Sequence, residues 1–313
     1  MKIYTVDRNG AGQRFDKYLF KLFKNAPTGI LYKQLRCKNI TLNGKKAKGS
    51  EILVSGDSVR VFMSDETIAR FSGENISEGS AKADSSALCV VYEDDNIILA
   101  DKPAGVLSQK AAPDDVSMNE YLISYLLSSG MKKESLIAFT PAFCNRLDRN
   151  TSGLMLGGKT LAGLQGLSGI IRNRSLEKYY LAAVCGAINE SGRIEGWLCK
   201  DERANKVRVE EHEFAGSSKI VTEYEPIAHK GGFTLLKLRL VTGRTHQLRA
   251  HLASIGHPIL GDPKYGNRRL NSEYGIKRQL LHSYEVVFPD MEGALSYLSG
   301  KSFRTEIPWK QKI

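Results

Sequence analysis

Two short segments of the chain place carboxylate, guanidinium and imidazole groups close together. In the first segment, Asn145–Gly153 (NRLDRNTSG), Asp148 lies between Arg146 and Arg149. A nearby positive charge favours the ionised form of a carboxyl group, and an ionised Asp can act as a nucleophile or base without a metal. The alternative is a loop ion pair that contributes little stability, and this segment alone favours that alternative.

The second segment, Val241–His251 (VTGRTHQLRAH), is rich in basic side chains. Its pattern predicts that Thr245 caps a helix that carries Gln247, Arg249 and His251. A basic helix face that is capped by chance is the alternative interpretation.

Other common catalytic signatures do not occur in the sequence. It contains no Walker loop and no G-x-G-x-x-G, G-x-S-x-G or H-E-x-x-H motif, and the glycines of Gly163–Gly169 have the wrong spacing within a helical pattern. These classes of chemistry therefore lose support: nucleotide hydrolysis, Rossmann redox chemistry, serine hydrolysis and zinc proteolysis.

Hydrophobic periodicity indicates the elements that position the two segments. Helical spacing predicts helices around Tyr121–Leu126 and Leu161–Ile171. The predicted strands begin with a hairpin and continue as follows: Leu88–Tyr92, Ile97–Asp101, Tyr180–Val184, Val221–Ile227, Phe233–Leu240 and Leu280–Phe288. Successive strands with few helices between them predict an α+β fold with a mixed, mainly antiparallel sheet.

Residues 1–63 show a separate pattern. Helical spacing in Phe15–Phe23 and Ile30–Leu35 predicts two short helices, and Asn43-Gly44 predicts a hairpin turn. A further strand is predicted at Ile52–Val54, and Val59–Phe62 is predicted to continue the sheet. We therefore expect a small α+β domain.

The positive charge of the chain is concentrated in this first segment. The whole chain carries 45 Lys/Arg and 34 Asp/Glu, a net charge of +11, and residues 1–63 contain 13 Lys/Arg against 4 Asp/Glu. Such a surplus favours a partner with many phosphates, whereas a solubility role is the alternative. Residues 64–87, rich in Ser, Glu, Gly and Ala, are predicted to be a linker to a second domain at 88–313.

Length and composition limit the class of protein. The 313 residues are 42% hydrophobic and 25% charged, which predicts a globular protein with one large core or two modest ones. No apolar stretch is long enough to span a membrane, and the first residues do not form a signal segment. Five cysteines without a C-x-x-C pair predict a reducing cytoplasm, and the absence of heptads predicts a monomer.

The motifs of residues 88 to about 290 resemble, in order, the RluA family of pseudouridine synthases, which convert uridine in RNA to its C-glycoside isomer. Lys102–Gly105 is similar to the family's N-K-P-x-G turn, Arg146–Gly153 to R-L-D-x-x-T-S-G, and Lys178–Val184 to the K-x-Y-L-A strand. Gly243–His251 resembles G-R-T-H-Q-L-R, and Gly256–Gly266 resembles the block that follows it. The resemblance implies a pseudouridine synthase fold and activity.

The N-terminal segment is similar to the S4 RNA-binding module that many members of this family carry. The similarity lies in Arg14–Leu19 (RFDKYL) and the Asn43-Gly44 turn, whereas Lys38 and its neighbours replace a commonly found glycine. The catalytic part departs from the family at Asn145 and Asp101, where His and Asn are frequent.

The resemblance implies a role for each site residue. Asp148 is implied to attack the sugar or to abstract a ribose proton, and both possibilities stay open. Tyr180 is implied to lie beside the extruded base and to help remove the C5 proton, and Arg146 to enter the space that the base leaves. Since burial raises the pKa of a carboxyl group unless a cation opposes it, we expect Arg249 to be the partner of Asp148, with Arg244 as the second candidate.

The implied partner is RNA, with large-subunit (23S) ribosomal RNA or a pre-ribosomal particle favoured and transfer RNA still open; no cofactor, metal or membrane is implied. The RNA-binding candidates in the N-terminal module are Arg14, Lys17, Lys33, Arg36, Lys38 and Lys45. A non-catalytic RNA-binding or ribosome-assembly protein is the alternative, but Asp148 and its arginines argue against it. An RNA methyltransferase would need a glycine-rich donor-binding loop, which the sequence lacks.

Overall fold

The computed structural model of the protein describes residues 1–72, 84–133, 135–201 and 206–309. The α-helices are α1 (Phe15–Leu22), α2 (Thr28–Arg36), α3 (Asp65–Ser72), α4 (Met118–Ser128), α5 (Ser135–Ala138), α6 (Leu161–Arg172), α7 (Gln247–Ser254) and α8 (Arg268–Glu273). Short 3₁₀ helices occur at Ser85–Ala87 and Gly293–Leu298.

The strands form two sheets. They are β1 (Lys2–Thr5), β2 (Ile40–Leu42), β3 (Lys45–Lys46), β4 (Ser58–Val61), β5 (Cys89–Glu93), β6 (Ile97–Lys102), β7 (Ala142–Phe143), β8 (Ser152–Gly158), β9 (Glu177–Cys185), β10 (Gly192–Asp201), β11 (Lys206–Glu210), β12 (Ser218–Lys230), β13 (Phe233–Leu240), β14 (Leu281–Val287) and β15 (Ser302–Arg304). None of the helices within the described ranges is long and apolar enough to cross a membrane.

The small sheet belongs to the N-terminal part of the chain. Its strands are antiparallel in the order β1-β4-β2-β3, and helices α1 and α2 pack on it through apolar side chains such as Phe15 and Leu31. Asn43 and Gly44 form the predicted two-residue turn, both with positive φ. Lys38 has a φ of 61°, the left-handed conformation that a glycine at this place would adopt readily. The predicted strand at Ile52–Val54 is wrong, because Ile52 makes only a single bridge.

Helix α3 corrects the predicted position of the linker. It lies inside the segment 64–87, and its residues Ile68 and Phe71 are buried in the N-terminal core. Their spacing places both side chains on one face of the helix, so α3 stabilises the unit that precedes it. The linker therefore does not begin at residue 64, and the part of the predicted linker at 73–83 lies outside the described residues.

The large sheet is mixed and mainly antiparallel, as predicted. Its strand order is β11-β10-β12-β13-β9-β14-β8-β6-β5, with β15 added beside β14 and β7 beside β8. Among its described pairs, β8 and β14 are parallel, with Ser152 opposite His282 and Gly153 opposite Ser283. The predicted hairpin of β5 and β6, the helices α4 and α6, and the strands β9, β12, β13 and β14 are all present.

Apolar side chains cover both faces of this sheet. In β6, Ile98 and Ala100 pack into one core with α4 and α7, whereas Ile97 and Leu99 pack into another with α6. Because side chains of a strand alternate between faces, a strand that is buried on both sides has a continuous apolar sequence. The first core continues to Tyr180, next to the loop that carries the candidate catalytic residue.

Candidate active site

Asp148 lies in the loop between β7 and β8 and has one oxygen held by the protein. Its Oδ2 lies 2.7 Å from Arg249 Nη1 and 3.9 Å from His246 Nε2. Its side chain is 24% exposed, and Oδ1 accepts no hydrogen bond from the described residues. One carboxylate oxygen is therefore fixed by a cation while the other is available to a reacting group.

The residues after Asp148 anchor this loop to strand β14. Ser152 Oγ lies 2.8 Å from His282 Nδ1, and burial lowers the pKa of His282 to about 4, so the imidazole is neutral. Gly153 has a φ of 112°, and a side chain there would overlap the backbone of Ser283. The T-S-G part of the motif therefore serves close contact between two strands, which fixes the position at which the catalytic loop ends.

Lys102 supports the same loop from the other side, a role that the sequence analysis missed. Its ammonium is fully buried and donates hydrogen bonds to the carbonyl oxygens of Pro103, Val106 and Arg149 at 2.8 to 3.0 Å. Burial lowers the pKa of Lys102 to about 8, while the charge of Asp148 opposes this shift. The available signal was a lysine at the end of strand β6, which begins with the apolar run Ile97–Ala100.

Arg249 joins Asp148 to a second carboxylate. Its Nε and Nη2 donate to the two oxygens of Asp262 at 2.7 and 2.9 Å, and its guanidinium lies 5.2 Å from the ring centroid of Tyr265. Burial opposes ionisation of Asp262, but Arg249 and the backbone N–H groups of Tyr265 and Lys264 outweigh it and hold the pKa of that carboxyl below its usual value. The arginine is thereby fixed in orientation, because a bidentate pair defines the plane of the guanidinium.

Burial would lower the pKa of Arg249, yet its hydrogen bond with Asp262 and the charges of Asp262 and Asp148 raise it above the ordinary value. Its charge is therefore permanent. Asp262 is not among the site residues predicted from the sequence, although it lies in the Gly256–Gly266 block that resembles the family.

The start of helix α7 differs from the prediction. Thr245 is exposed and does not cap the helix, because His246 follows it in the left-handed conformation with a φ of 56°. Gln247 instead organises this turn, since its Oε1 accepts hydrogen bonds from Thr242 Oγ1 at 2.8 Å and from the N–H of Arg244 at 3.1 Å. The turn brings His246 and the helix that carries Arg249 to Asp148.

Tyr180 lies on β9 and is almost fully buried, 6% exposed, in the core that adjoins the catalytic loop. Burial raises the pKa of Tyr180 to about 12, and the charge of Asp148 adds to this effect while a hydrogen bond with Ser283 opposes it. The free protein therefore keeps this hydroxyl protonated at neutral pH. In this state it is a hydrogen-bond donor and not a base.

The two remaining candidates in the catalytic part are exposed. Within the described ranges, the side chains of Arg146 and Arg244 form no ion pair. The structure thus places Arg249, and not Arg244, against Asp148. Arg146 lies two residues before Asp148 and is accessible to a large ligand.

In the N-terminal part, Arg14 forms a two-point ion pair with Asp16 at 2.6 and 3.1 Å, and Tyr32 donates to the same carboxylate at 2.9 Å. The hydrogen bond from Arg14 is the main cause that lowers the pKa of Asp16 to about 2. The other five candidates are exposed and distant from Asp148 in sequence: Lys17, Lys33, Arg36, Lys38 and Lys45. No group of His, Cys, Asp and Glu among the described residues is arranged to hold a metal ion.

The chain is similar to RNA pseudouridine synthases in sequence, and it shares the fold of solved structures that carry this name. Residues 96–254 match the family model of RNA pseudouridylate synthase. An uncharacterised RNA pseudouridine synthase of Mycoplasma genitalium is 31% identical over 98% of this chain and 96% of its own. Ribosomal large subunit pseudouridine synthase C of Vibrio cholerae is 31% identical over 92% of this chain and 89% of its own.

Solved structures share the fold. Human RNA pseudouridylate synthase domain containing 1 superposes with a TM-score of 0.58 at 22% identity, covering 72% of this chain and 86% of its own. Human RNA pseudouridylate synthase domain containing 4 has the same TM-score and covers 74% of this chain. Since sequence and fold agree, the chain belongs to the RluA family of RNA pseudouridine synthases.

Proposed function

We propose that the protein isomerises a specific uridine of large-subunit ribosomal RNA, using Asp148 as its catalytic carboxylate. The observation that carries this proposal is the difference between the two carboxylate oxygens of Asp148. Oδ2 accepts a hydrogen bond from Arg249 at 2.7 Å, whereas Oδ1 accepts none from the described residues. The choice of ribosomal RNA rests on relatives such as synthase C of Vibrio cholerae and synthase D of Xanthomonas campestris, both named for the ribosomal large subunit.

The first step takes the uridine out of the RNA stack. Enzymes that act on a base must extrude it, at a cost of a few kcal/mol. Arg146 is exposed and lies two residues from Asp148, so it can fill the vacated space while the nucleotide enters the pocket. Its planar guanidinium can stack on the neighbouring bases and bind phosphate.

Asp148 then acts on the ribose, either by attack of Oδ1 at C1′ or by removal of the C2′ proton. In both cases the N1–C1′ bond breaks, the uracil turns within the pocket, and C5 bonds to C1′ in place of N1. The proton from C5 is lost and N1 gains one, so no redox partner or group donor is consumed. The guanidinium of Arg249 holds the carboxylate in position for this step and balances its charge.

Tyr180 stabilises the turning base by contact, and its hydroxyl serves as a hydrogen-bond donor. An aromatic ring offers a flat apolar surface without a preferred rotation of the base. The hydroxyl of Tyr180 is protonated at neutral pH in the free protein, so it cannot accept the C5 proton in that state. The proton therefore passes to another group, or to Tyr180 after bound substrate has changed the surroundings of the hydroxyl.

The N-terminal unit supplies affinity for the RNA backbone, as an S4-type module. Its exposed lysines and Arg36 make no ion pair within the described ranges, so their charges are available to phosphates. We further propose that the protein acts as a monomer in the cytoplasm. The five cysteines are all free, which fits a reducing compartment.

The test is to map pseudouridine in total RNA from cells with the gene, without it, and with the gene carrying Asp148→Asn. We expect a signal at one or a few uridines of large-subunit ribosomal RNA that depends on the gene and on Asp148. A dependent signal found only in transfer RNA would replace the substrate. A signal that survives Asp148→Asn would remove Asp148 from the mechanism.

A further inference from the structure

His246 lies beside Asp148, in a hydrogen-bond chain that the reaction described above does not use. Its side chain is 13% exposed, and its Nε2 lies 3.9 Å from Asp148 Oδ2. On the other side of the ring, Nδ1 lies 3.0 Å from the hydroxyl oxygen of Tyr265. That oxygen also accepts a hydrogen bond from the backbone N–H of Val207 at 2.8 Å.

This chain fixes the tautomer of the imidazole. The N–H of Val207 donates to the hydroxyl oxygen of Tyr265, and Nδ1 of His246 is the acceptor that the described residues offer to the hydroxyl proton, so the hydroxyl donates to Nδ1. The proton of the neutral ring is then on Nε2, which faces Asp148. The other tautomer would direct a lone pair at the carboxylate and leave the hydroxyl proton of Tyr265 without an acceptor.

The ring is also kept neutral. Burial is the main cause that lowers the pKa of His246, and the positive charges of Arg249 and Lys264 act in the same direction. The negative charges of Asp148 and Asp262 oppose the shift without reversing it. His246 is therefore a neutral donor and not a second cation.

The Nε2–H group has no acceptor in the described part of the chain. A distance of 3.9 Å to Asp148 Oδ2 is too long for a hydrogen bond. The backbone of His246 is held at a φ of 56°, a conformation that non-glycine residues rarely adopt and that persists where the surroundings enforce it, often at functional sites. A rigidly held donor that lies beside Asp148 and has no acceptor among the described residues is suited to an acceptor on the substrate.

The chemistry at Asp148 identifies that acceptor. Asp148 acts at C1′ or at the C2′ proton, and the 2′-oxygen is bonded to C2′. A donor beside the carboxylate that reacts there is within reach of this oxygen. The 2′-hydroxyl is also the group by which a protein distinguishes RNA from DNA.

We propose that His246 is a substrate-contacting residue whose Nε2–H donates a hydrogen bond to the 2′-oxygen of the target uridine and so selects ribose. The inference rests on the proposed function only in requiring that the target nucleotide reacts at Asp148. It holds for whichever RNA contains that nucleotide.

The tautomer is tested first on the full-length free protein by ¹⁵N NMR of its histidines, with the His246 resonances assigned by comparison with His246→Asn. We expect a protonated Nε2 and an unprotonated Nδ1 at pH 7, and Tyr265→Phe should increase the population of the other tautomer. A proton on Nδ1, or on both nitrogens, would overturn the proposal. This measurement needs no substrate, so it is independent of the ribosomal assignment.

The contact is tested with a hairpin transcript carrying the mapped uridine and with the same transcript carrying 2′-deoxyuridine at that position. The ribose preference is the ratio of the two single-turnover rates at saturating RNA. We expect His246→Asn, whose residue type tolerates the left-handed conformation, to lower this ratio roughly tenfold, as for loss of one hydrogen bond. His246→Gln, whose amide can reach the same position, should restore part of it.

The matched control is His212→Asn, at an exposed histidine, which should leave the ratio unchanged. Equal ratios for the wild type and His246→Asn would overturn the proposal even if both rates fell, because a purely structural role slows both substrates alike. If the mapped uridine lies outside large-subunit ribosomal RNA, the proposed substrate fails while this comparison remains valid on the RNA found.

Discussion

Arg249 connects two carboxylates of very different burial. Asp262 is fully buried, whereas Asp148 is 24% exposed. Removal of one partner from a buried ion pair typically costs about 3–5 kcal/mol, because the other charge stays buried without compensation. A single substitution of Arg249 would therefore lower stability as well as activity, and a test of its electrostatic role must also neutralise Asp262.

We expect Asp148→Asn to abolish isomerisation while RNA affinity changes little. The amide keeps the size of the side chain but has no negative charge with which to attack the sugar or take a proton. Tritium release from RNA labelled at C5 of uridine measures turnover, and filter binding measures affinity. Turnover at the wild-type rate would contradict the assignment of Asp148.

We expect the double variant Arg249→Met with Asp262→Asn to shift the pH profile of catalysis upward. Without the guanidinium at 2.7 Å, the carboxylate of Asp148 loses the positive charge that favours its reactive, charged form. The rate should therefore fall most at low pH and should recover as pH increases. The measurement is the single-turnover rate against pH at saturating RNA.

Two controls accompany this profile. Asp262→Asn alone keeps Arg249 on Asp148 and should retain the wild-type shape. Arg244→Met removes an exposed cation that does not contact Asp148 and should leave the profile in place. A pH–rate profile of the double variant that matches the wild type would rule out an electrostatic role of Arg249 toward Asp148 in catalysis.

At this scale the sequence predicted Asp148 and its partner Arg249, because both belong to motifs with a recognisable spacing. It did not predict Asp262 and Lys102, whose roles depend on contacts with carbonyl groups and side chains that are remote along the chain. Lys102, for example, donates to Arg149, which is 47 residues away. Such contacts form only in the folded protein, so the motifs contain these residues but do not reveal their partners.

Strand β8 links the catalytic loop to the centre of the large sheet. It pairs with β6 on one side and with β14 on the other, and all of its residues are buried. The loop that carries Asp148 is therefore attached to one of the most enclosed elements of the molecule. Substitutions in β8 should act on activity through the position of this loop.

We expect two glycine-to-alanine substitutions to have opposite effects on stability. Gly153→Ala should prevent folding or lower the melting temperature strongly, because the new methyl group would overlap the backbone of Ser283 and the φ of 112° is strained for alanine. Gly169→Ala should stabilise the protein by about 0.5–1 kcal/mol, since it lies in helix α6 with open space around it. Thermal and urea unfolding measure both effects. A destabilised Gly169→Ala would contradict the helix interior, and a stable Gly153→Ala would contradict the close approach of β8 and β14.

Helices and strands with a regular hydrophobic pattern were predicted from the sequence, and those without one were not. The alternation of β13 and the helical spacing of α4 and α6 predicted those elements, whereas the polar composition around α3 concealed its two buried side chains. Thr245 has the chemistry of a cap, but His246 occupies the cap position in a left-handed turn, so the helix starts one residue later than that prediction requires. These failures occur where tertiary contacts override a local preference.

Charge divides the molecule into two parts of different character. Residues 1–72 form a unit with its own core and contain 14 Lys/Arg against 6 Asp/Glu. The remaining 241 residues are close to neutral, with 31 Lys/Arg and 28 Asp/Glu. We therefore expect long-range attraction of RNA to originate mainly in the first part, whereas the match to the family model lies in the second.

We expect the triple variant Lys33→Gln, Arg36→Gln and Lys45→Gln to bind RNA more weakly and with a flatter salt dependence. If all three contact phosphates, the slope of log affinity against log salt should decrease by roughly 2, at about 0.7 per contact. Turnover at saturating RNA should be unchanged. The measurement is filter binding over a range of salt concentrations.

The matched control replaces three exposed lysines of the catalytic part, Lys132, Lys133 and Lys230, with Gln. It removes the same number of charges and should change the slope less. Equal slopes for the two triple variants would indicate that the N-terminal charges do not contact phosphates individually and contribute only to solubility or to the net electrostatic field of the protein.

The parallel pairing of β8 with β14 also determines when activity can arise during synthesis. Ser152 and His282 are 130 residues apart in the chain, and Asp148 and Arg249 are 101 apart. The first 72 residues close their core without later parts of the chain and can fold on the ribosome early, whereas the loop that carries Asp148 gains its support only after β14 has emerged. We therefore expect a product of premature termination before residue 281 to bind RNA through its N-terminal unit but to be unable to modify it.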